Sequence, residues 1–373
     1  MWTFKLIHGN CIERMQDMEP ESVHSVVSDP PYGLAFMGKQ WDHAVPGVDY
    51  WAECLRVLKP GGYLAAFGGT RLYHRLTCAI EDAGFEIRDC LMWVYGSGFP
   101  KSHDVSKAID KAAGAEREEG VVSGKSGARR SCMAGDFKGG EYYKTAPATP
   151  EAAQWQGWGT ALKPAWEPII LARKPFKGTV AGNVLEHGTG ALNIDGCRVG
   201  ERWPANLVHD GSDEVVDLFP NSKSGSRKAG VRKGMGFHGA DGDGGPAIKG
   251  SEGSAARYFY CAKASQAERN AGLQELPTGQ AKGGGGMNNP EAGRIYGSLH
   301  TPAKNFHPTV KPVALMKWLC RMVTPPAGIV LDPFCGSGST LVAAMQEGFR
   351  PIGIDLEEKY IEIARLRCEH EDW

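Results

Sequence analysis

No apolar run in this 373-residue chain approaches the roughly 18 residues needed to span a bilayer, which excludes a helical membrane protein. Residues 1–11 lack a basic flank and a long apolar stretch, so no secretory leader is expected there. The ten cysteines never form a Cys-x-x-Cys pair, which argues against zinc ribbons and fingers, and no metal site is expected. A disulfide-stapled secreted framework does not suit a chain of this length. Reduced thiols in a cytoplasm is the reading that remains. Net charge is also scarce, at −1, which as a total speaks against a polyanionic partner.

The distribution of charge reverses that last inference. Residues 1–100 hold 8 Lys+Arg and 12 Asp+Glu, and residues 311–373 hold 7 and 9. Residues 101–310 hold 27 and 22, so the positive excess lies in the middle. Its densest piece is Lys223, Arg227, Lys228, Arg232 and Lys233, with no acid among them. Such a run suits contact with nucleic-acid phosphates, or simply a solvated loop.

Both ends of the chain read as one α/β domain. Strands are expected at 4–7, 24–27, 63–67 and 85–95, and helices at 50–58 and 71–83, with Lys59-Pro60-Gly61-Gly62 stopping the first helix. The pattern resumes with a helix at 312–323, a strand at 328–331, a helix at 339–347, a strand at 351–354 and a helix at 357–367. Alternating strands and helices imply a doubly wound, mostly parallel sheet. Residues 101–160 and 178–302 are rich in Gly, Ser, Ala and Lys and read as insertions. Between them, 166–173 reads as a strand returning to the sheet. The expected division is therefore 1–100 and 303–373 as a core domain joined by 161–177, with 101–160 and 178–302 as additions.

Two short segments carry chemistry. After the strand at 328–331 comes Asp332-Pro333-Phe334-Cys335-Gly336-Ser337-Gly338-Ser339-Thr340, and then a helix. Glycines allow close backbone approach to a ligand, and a helix start offers amide donors. Asp355 ends the next strand, 19 residues after Gly336, where an acid suits the two hydroxyls of a ribose. The third glycine of the dinucleotide fingerprint is missing, which leans away from nicotinamide cofactors.

The other segment, Asp29-Pro30-Pro31-Tyr32, follows an apolar strand. Pro30 and Pro31 stiffen the loop and remove two donors. The Asp29 carboxylate and the Pro30 carbonyl are thereby set to accept from one –NH₂ group, while the Tyr32 ring stacks on a planar base. An aryl amine is a poor nucleophile because its lone pair is delocalised. Two acceptors on its hydrogens favour a pyramidal nitrogen whose lone pair points at an adjacent electrophile. Alignment of that kind reaches effective molarities of about 10⁵ M or more.

These residues resemble the amino-group DNA methyltransferases that use S-adenosylmethionine, in particular the permuted β group. In that group the DPPY motif comes first and an FxGxG motif last, as in Asp29–Tyr32 and Phe334-Cys335-Gly336-Ser337-Gly338 here. His307-Pro308-Thr309-Val310-Lys311-Pro312 resembles the motif lining the methionine end of the cofactor. Asp355 falls in a segment resembling the ribose-binding motif. Asn10 stands where the group usually has an Asp near the cofactor adenine. The resemblance implies cofactor contacts from Asn10, Asp29, His307, Thr309, Lys311, Asp332, Phe334, Gly336, Ser337, Gly338, Thr340 and Asp355.

It further implies a circularly permuted, seven-stranded, Rossmann-like methyltransferase sheet with an inserted target-recognition region. The substrate implied is double-stranded DNA, the product S-adenosylhomocysteine, and the assembly a homodimer. Residues 38–42 and 95–102 resemble phage and prophage members, so the cytoplasm implied is bacterial or that of a phage host. Trp41 is a candidate for covering a flipped base, or an ordinary buried Trp. Lys223, Arg227, Lys228, Arg232 and Lys233 are the candidate phosphate contacts. Cytosine-C5 enzymes need a Pro-Cys loop, and no Pro-Cys dipeptide occurs here. Adenine N6 is the expected target because the loop begins with Asp. Cytosine N4, an RNA substrate, and a DNA-binding regulator with a vestigial cofactor site stay open, as does a partner endonuclease.

Overall fold

A computed structural model gives the architecture. It describes residues 4–34, 42–98, 102–118, 145–226, 250–262, 266–274, 305, 307 and 310–370, together with short backbone segments within 122–143, 279–282 and 300–303. Trp41, Arg227, Lys228, Arg232, Lys233 and Thr309 lie outside the described residues.

One sheet organises the chain. Its strands are β1 (Lys5–His8), β2 (Val23–Ser28), β3 (Leu58–Phe67), β4 (Glu86–Val94), β5 (Trp166–Arg173), β6 (Leu207–His209), β7 (Tyr260–Cys261), β8 (Ile329–Asp332) and β9 (Arg350–Asp355). Their spatial order is β1-β9-β8-β2-β3-β5-β4-β6-β7. All neighbours are parallel except β5, which runs antiparallel to both β3 and β4. Among the described residues the sheet has nine strands, where seven were expected. The two extra ones, β6 and β7, come from within 178–302 and extend the sheet beyond β4. They are two or three residues long, too short to leave a periodic signal.

Strict alternation of side chains explains why the sheet is covered on both faces. Ala65 and Phe67 of β3, Ile169 and Leu171 of β5 and Val330 of β8 point to one core. Leu64 and Ala66, Ile170 and Ala172, and Leu331 point to the other. The helices Val313–Val323 and Ser339–Gln346 cover the first face. Cys11–Gln16, Val48–Val57 and Tyr73–Asp82 cover the second.

The helix does end before Lys59-Pro60-Gly61-Gly62, at Val57, yet the strand begins at Leu58 and includes those four residues rather than starting at 63. Leu58 pairs with Val23 and Tyr63 with Ser25, so the intervening residues bulge out of register. The segment 101–160 is less irregular than its composition suggests. Val105–Ala112 is a helix capped by the Asp104 carboxylate, and Asp110 on it accepts from Arg117, Thr149 and the Ala148 amide.

Trp318 pegs the middle of the chain to the core. Its indole is 1 % exposed, stacks on Tyr260 with ring centroids 5.2 Å apart, and donates to the Cys197 carbonyl at 3.3 Å. Trp318→Ala removes this contact and leaves a cavity, and a loss of about 3–5 kcal/mol is expected in chemical denaturation. A change below about 1 kcal/mol would show that the peg does not bear on stability.

Candidate active site

Two crossovers leave the middle of the sheet in opposite directions. After β8 the chain passes through Ser339–Gln346 to β9 on one side. After β2 it passes through Val48–Val57 to β3 on the other. β8 and β2 are hydrogen-bonded neighbours, with Val330 opposite Ser25 and Leu331 opposite Val26. The crevice beyond their carboxyl ends is therefore a topological switch point, where open α/β sheets bind ligands. Asp29–Tyr32 leaves β2 there, and the glycine turn leaves β8 beside it.

The glycine turn is held from three sides. Gly336 has φ +50°, and a Cβ there would lie 2.7 Å from His307 Nε2. Gly338 has φ +79°, and a Cβ there would lie 2.9 Å from that of Ala364. Both positions thus need glycine for conformation and for space. The Gly336 amide donates to Asp355 Oδ2 at 2.8 Å, and the Glu357 amide to Oδ1 at 2.9 Å. Burial raises the Asp355 pKa, against those two amides. Arg367, fully buried, donates to the Ser337 carbonyl at 2.6 Å and to the Ser337 and Ser339 hydroxyls at 3.2 Å.

Several expected cofactor contacts prove to be part of this scaffold. Asp332 accepts from Ser28 Oγ at 2.6 Å, from Thr340 Oγ1 at 2.5 Å and from the Phe334 amide at 3.1 Å. It therefore ties β8 to β2 and to the start of Ser339–Gln346. Phe334 packs on Tyr50 and Trp51, with centroids 5.8 and 6.4 Å away. Asn10 caps Cys11–Gln16 by accepting from the Ile12 amide at 2.9 Å, the usual use of Asn before a helix. His307 lies against Tyr360, centroids 4.5 Å apart, and burial together with Arg269, Lys311 and Arg367 pushes its pKa down to about 3.

The Asp29 loop is the electrostatic centre. Asp42 Oδ1 accepts from the Tyr32 and Gly33 amides at 2.8 and 2.9 Å, which fixes the loop. Lys311, 5 % exposed, donates to Asp29 Oδ2 at 2.7 Å and lies 3.3 Å from Glu167 Oε2. The Tyr32 hydroxyl is 2.8 Å from Asp29 Oδ1, 3.0 Å from Glu167 Oε2 and 3.1 Å from Lys311 Nζ. Tyr95 donates to Glu167 Oε1 at 3.3 Å. Burial alone lowers the pKa of Lys311, but Asp29 and Glu167 outweigh it and the ammonium is held more firmly than usual. Burial, with the same two acids, raises the Tyr32 phenol well above its ordinary value.

Lys311 thus meets the Asp29 loop rather than standing only beside the glycine turn. Glu167 and Arg367 were absent from the expected set. Glu167 is the one acid of its strand, at the head of the apolar run Ile169–Ala172. Arg367 sits on the helix face shared by Tyr360, Ile363 and Ala364. Both left that trace in the sequence. Lys223, by contrast, is exposed and faces Glu252 at 3.1 Å, so part of its charge is already matched.

Two outcomes follow from these groups. Lys311→Ala leaves the buried Glu167 and the part-buried Asp29 without their cation, and a loss of about 3–5 kcal/mol is expected in chemical denaturation. A loss below about 1 kcal/mol would remove the charge argument. Burial pushes the Asp332 pKa up to about 7, against the bonds from Ser28, Thr340 and the Phe334 amide. Folding therefore favours the protonated acid, and this contribution is lost as pH rises from about 4 toward 7, by at most about 1.4 kcal/mol per unit. Asp332→Asn should abolish that slope relative to the parent chain, and parallel stability curves would refute it.

Residues 23–366 match the model of a family described as DNA methylase. The type II methyltransferase M.HindIII of Haemophilus influenzae Rd is 22 % identical over 405 aligned positions, covering 96 % of this chain and 93 % of that one. The DNA adenine methyltransferase YhdJ of Escherichia coli K12 is 41 % identical over 63 positions, 17 % of this chain and 21 % of that protein. The M1.HpyAVI–SAM complex aligns with 98 % of this chain and 100 % of that one, at 15 % identity and a TM-score of 0.43. The family match runs through both the Asp29 loop and the Gly336 turn, and on that extent the chain belongs to the DNA methylase family.

Proposed function

We propose that the protein transfers a methyl group from S-adenosylmethionine to the exocyclic N6 of an adenine flipped out of double-stranded DNA. The observation that carries this reading is the placement of the Asp29 loop beside the Gly336–Gly338 turn, at the carboxyl ends of paired strands β2 and β8. One loop presents acceptors for an amine, and the other presents a glycine cradle for a nucleoside.

The residues fit that cofactor. Asp355 ends β9 with one donor on each carboxylate oxygen, which leaves lone pairs for ribose hydroxyls. The Gly336 and Gly338 backbones give close approach, and His307 closes over Gly336. Asp29, Glu167 and Lys311 together place two carboxylates against one ammonium. That imbalance suits a cationic ligand and opposes a phosphate. When bound, S-adenosylmethionine supplies an electrophilic sulfonium methyl, taken by the amine in one in-line displacement.

The chain's own residues do the rest. Asp29 and the Pro30 carbonyl accept from the amine and direct its lone pair. Pro31 keeps the loop stiff, and the Tyr32 ring lies against the base. The amine's surplus proton is released after transfer, and no covalent enzyme intermediate forms. Charged groups fixed in a buried site do this without reorganising at the moment of reaction.

Adenine is favoured over cytosine by the loop's first residue and by the commitment of its neighbour. Loops acting on cytosine N4 more often begin with Ser, and Ser28 is fully buried with its hydroxyl on Asp332. It is therefore not offered to a substrate amine. The strongest test is mass analysis of nucleosides in plasmid from an expressing host, where N6-methyladenine is expected. N4-methylcytosine alone would sink the adenine reading. Asp29→Ala should lose at least about a hundredfold in turnover while cofactor binding persists. Near-full turnover in that variant would overturn the mechanism.

Lys223, Arg227, Lys228, Arg232 and Lys233 remain the proposed phosphate contacts and 178–302 the proposed source of sequence recognition. A homodimer is proposed on the family resemblance.

A further inference from the structure

The methyl-transfer reading gives the buried acid Glu167 a share in the site's charge balance and no part in the transfer itself. Glu167 is 7 % exposed and stands on β5, the one antiparallel strand of the main sheet. The residues after Pro168 on that strand, Ile169 to Ala172, are apolar and buried. A carboxylate is costly beside them unless it is paired and hydrogen-bonded, and Lys311, Tyr32 and Tyr95 meet that need.

Those partners define what it can do. The Tyr32 hydroxyl lies 2.8 Å from Asp29 and 3.0 Å from Glu167. A hydroxyl has one proton and cannot donate to both acids at once. The two carboxylates are therefore alternative acceptors for it. While the proton points at Asp29 Oδ1, it takes one of the two lone pairs there and competes with an incoming amine for that oxygen, Oδ2 already carrying Lys311. When it points at Glu167, Asp29 Oδ1 is freed of that competing donor. Lys311, with three donors, reaches both acids and offsets their repulsion in either arrangement. Tyr95 holds the far oxygen of Glu167, so the acid stays aimed at Tyr32.

We propose that Glu167 is a positioning residue for the transfer: it takes over the Tyr32 hydroxyl as the target amine engages Asp29. This rests on the methyltransferase reading above. The exchange moves one hydrogen bond between two carboxylates, with no change in covalent bonding.

A double-mutant cycle tests it. Single-turnover transfer of labelled methyl from S-adenosylmethionine to unmethylated plasmid DNA is measured for the parent, Glu167→Gln, Tyr32→Phe and the double variant. Cofactor affinity is followed by calorimetry. Glu167→Gln keeps the shape but offers only a neutral acceptor, so the hydroxyl stays on Asp29. The expected result is a drop of tenfold or more in rate with cofactor affinity within about twofold of the parent. Tyr32→Phe keeps the ring and deletes the competing hydroxyl. In that background Glu167→Gln should cost less than about threefold.

An unchanged rate in Glu167→Gln overturns the proposal. So does an equal loss in both backgrounds, which would mark a merely structural acid. If Glu167→Gln does not fold, the cycle is run with Glu167→Asp, which keeps the charge at shorter reach and should give the same pattern in smaller size. A parent chain that binds the cofactor yet methylates no DNA would refute the methyltransferase reading and this inference with it. Parent turnover with an unmoved Glu167→Gln refutes the inference alone.

Discussion

The carboxylate of Asp332 is the joint on which the site depends. It receives Ser28 from the strand that ends in the Asp29 loop and Thr340 from the helix that starts after the glycine turn. Two segments some 300 residues apart in the chain are thereby locked in register at one point. Backbone pairing of β2 with β8 sets the distance between them. The buried hydroxyl-to-carboxylate bonds remove the remaining freedom to slide or splay. Such bonds are strong in a low dielectric, and leaving any member unsatisfied is correspondingly costly.

Around that joint the protein separates two kinds of rigidity. The glycine turn is held by backbone and packing: Asp355 on the Gly336 amide, Arg367 on Ser337, and His307 and Ala364 filling the space a side chain would take. The Asp29 loop is held by side-chain charge: Asp42 beneath it, Lys311 and Glu167 beside it. A cradle built from backbone gives one fixed shape. A cluster of charged and hydroxyl groups gives a fixed frame with protons free to change places. The first suits a cofactor that is always the same, and the second suits a bond that must form and break.

Much of this was legible before any coordinates. Continuous apolar runs at 63–67 and 328–331, punctuated by Gly and Pro, marked buried strands, because a strand covered on both faces must be apolar on both. The Asp29 and Gly336 segments stood out as whole patterns in context and order, since singly their Asp, Pro and Gly are ordinary turn residues. What stayed hidden was pairing at a distance. Lys311 could be seen as a motif residue, but its partner Asp29 lies 282 positions earlier. Glu167 left a trace as the lone acid of its strand, yet only the fold brings it to Tyr32, 135 positions away. Asn10 also caps a helix, a role legible from its place just before Cys11–Gln16. β6 and β7 were invisible because two or three residues carry no period.

The interleaving of the chain's two ends in one sheet also sets a timetable. β2 cannot find β8 until the residues near 330 have left the ribosome, and Ser28 waits 304 positions for Asp332. At ordinary synthesis rates that is a delay of roughly 15 to 60 s. Through it, the apolar strands β2 and β3 have an open edge, the arrangement most prone to pair with the wrong partner. The basic, glycine-rich middle emerges during that interval. Its Gly-, Ser- and Lys-rich stretches offer that open edge few apolar side chains to pair with.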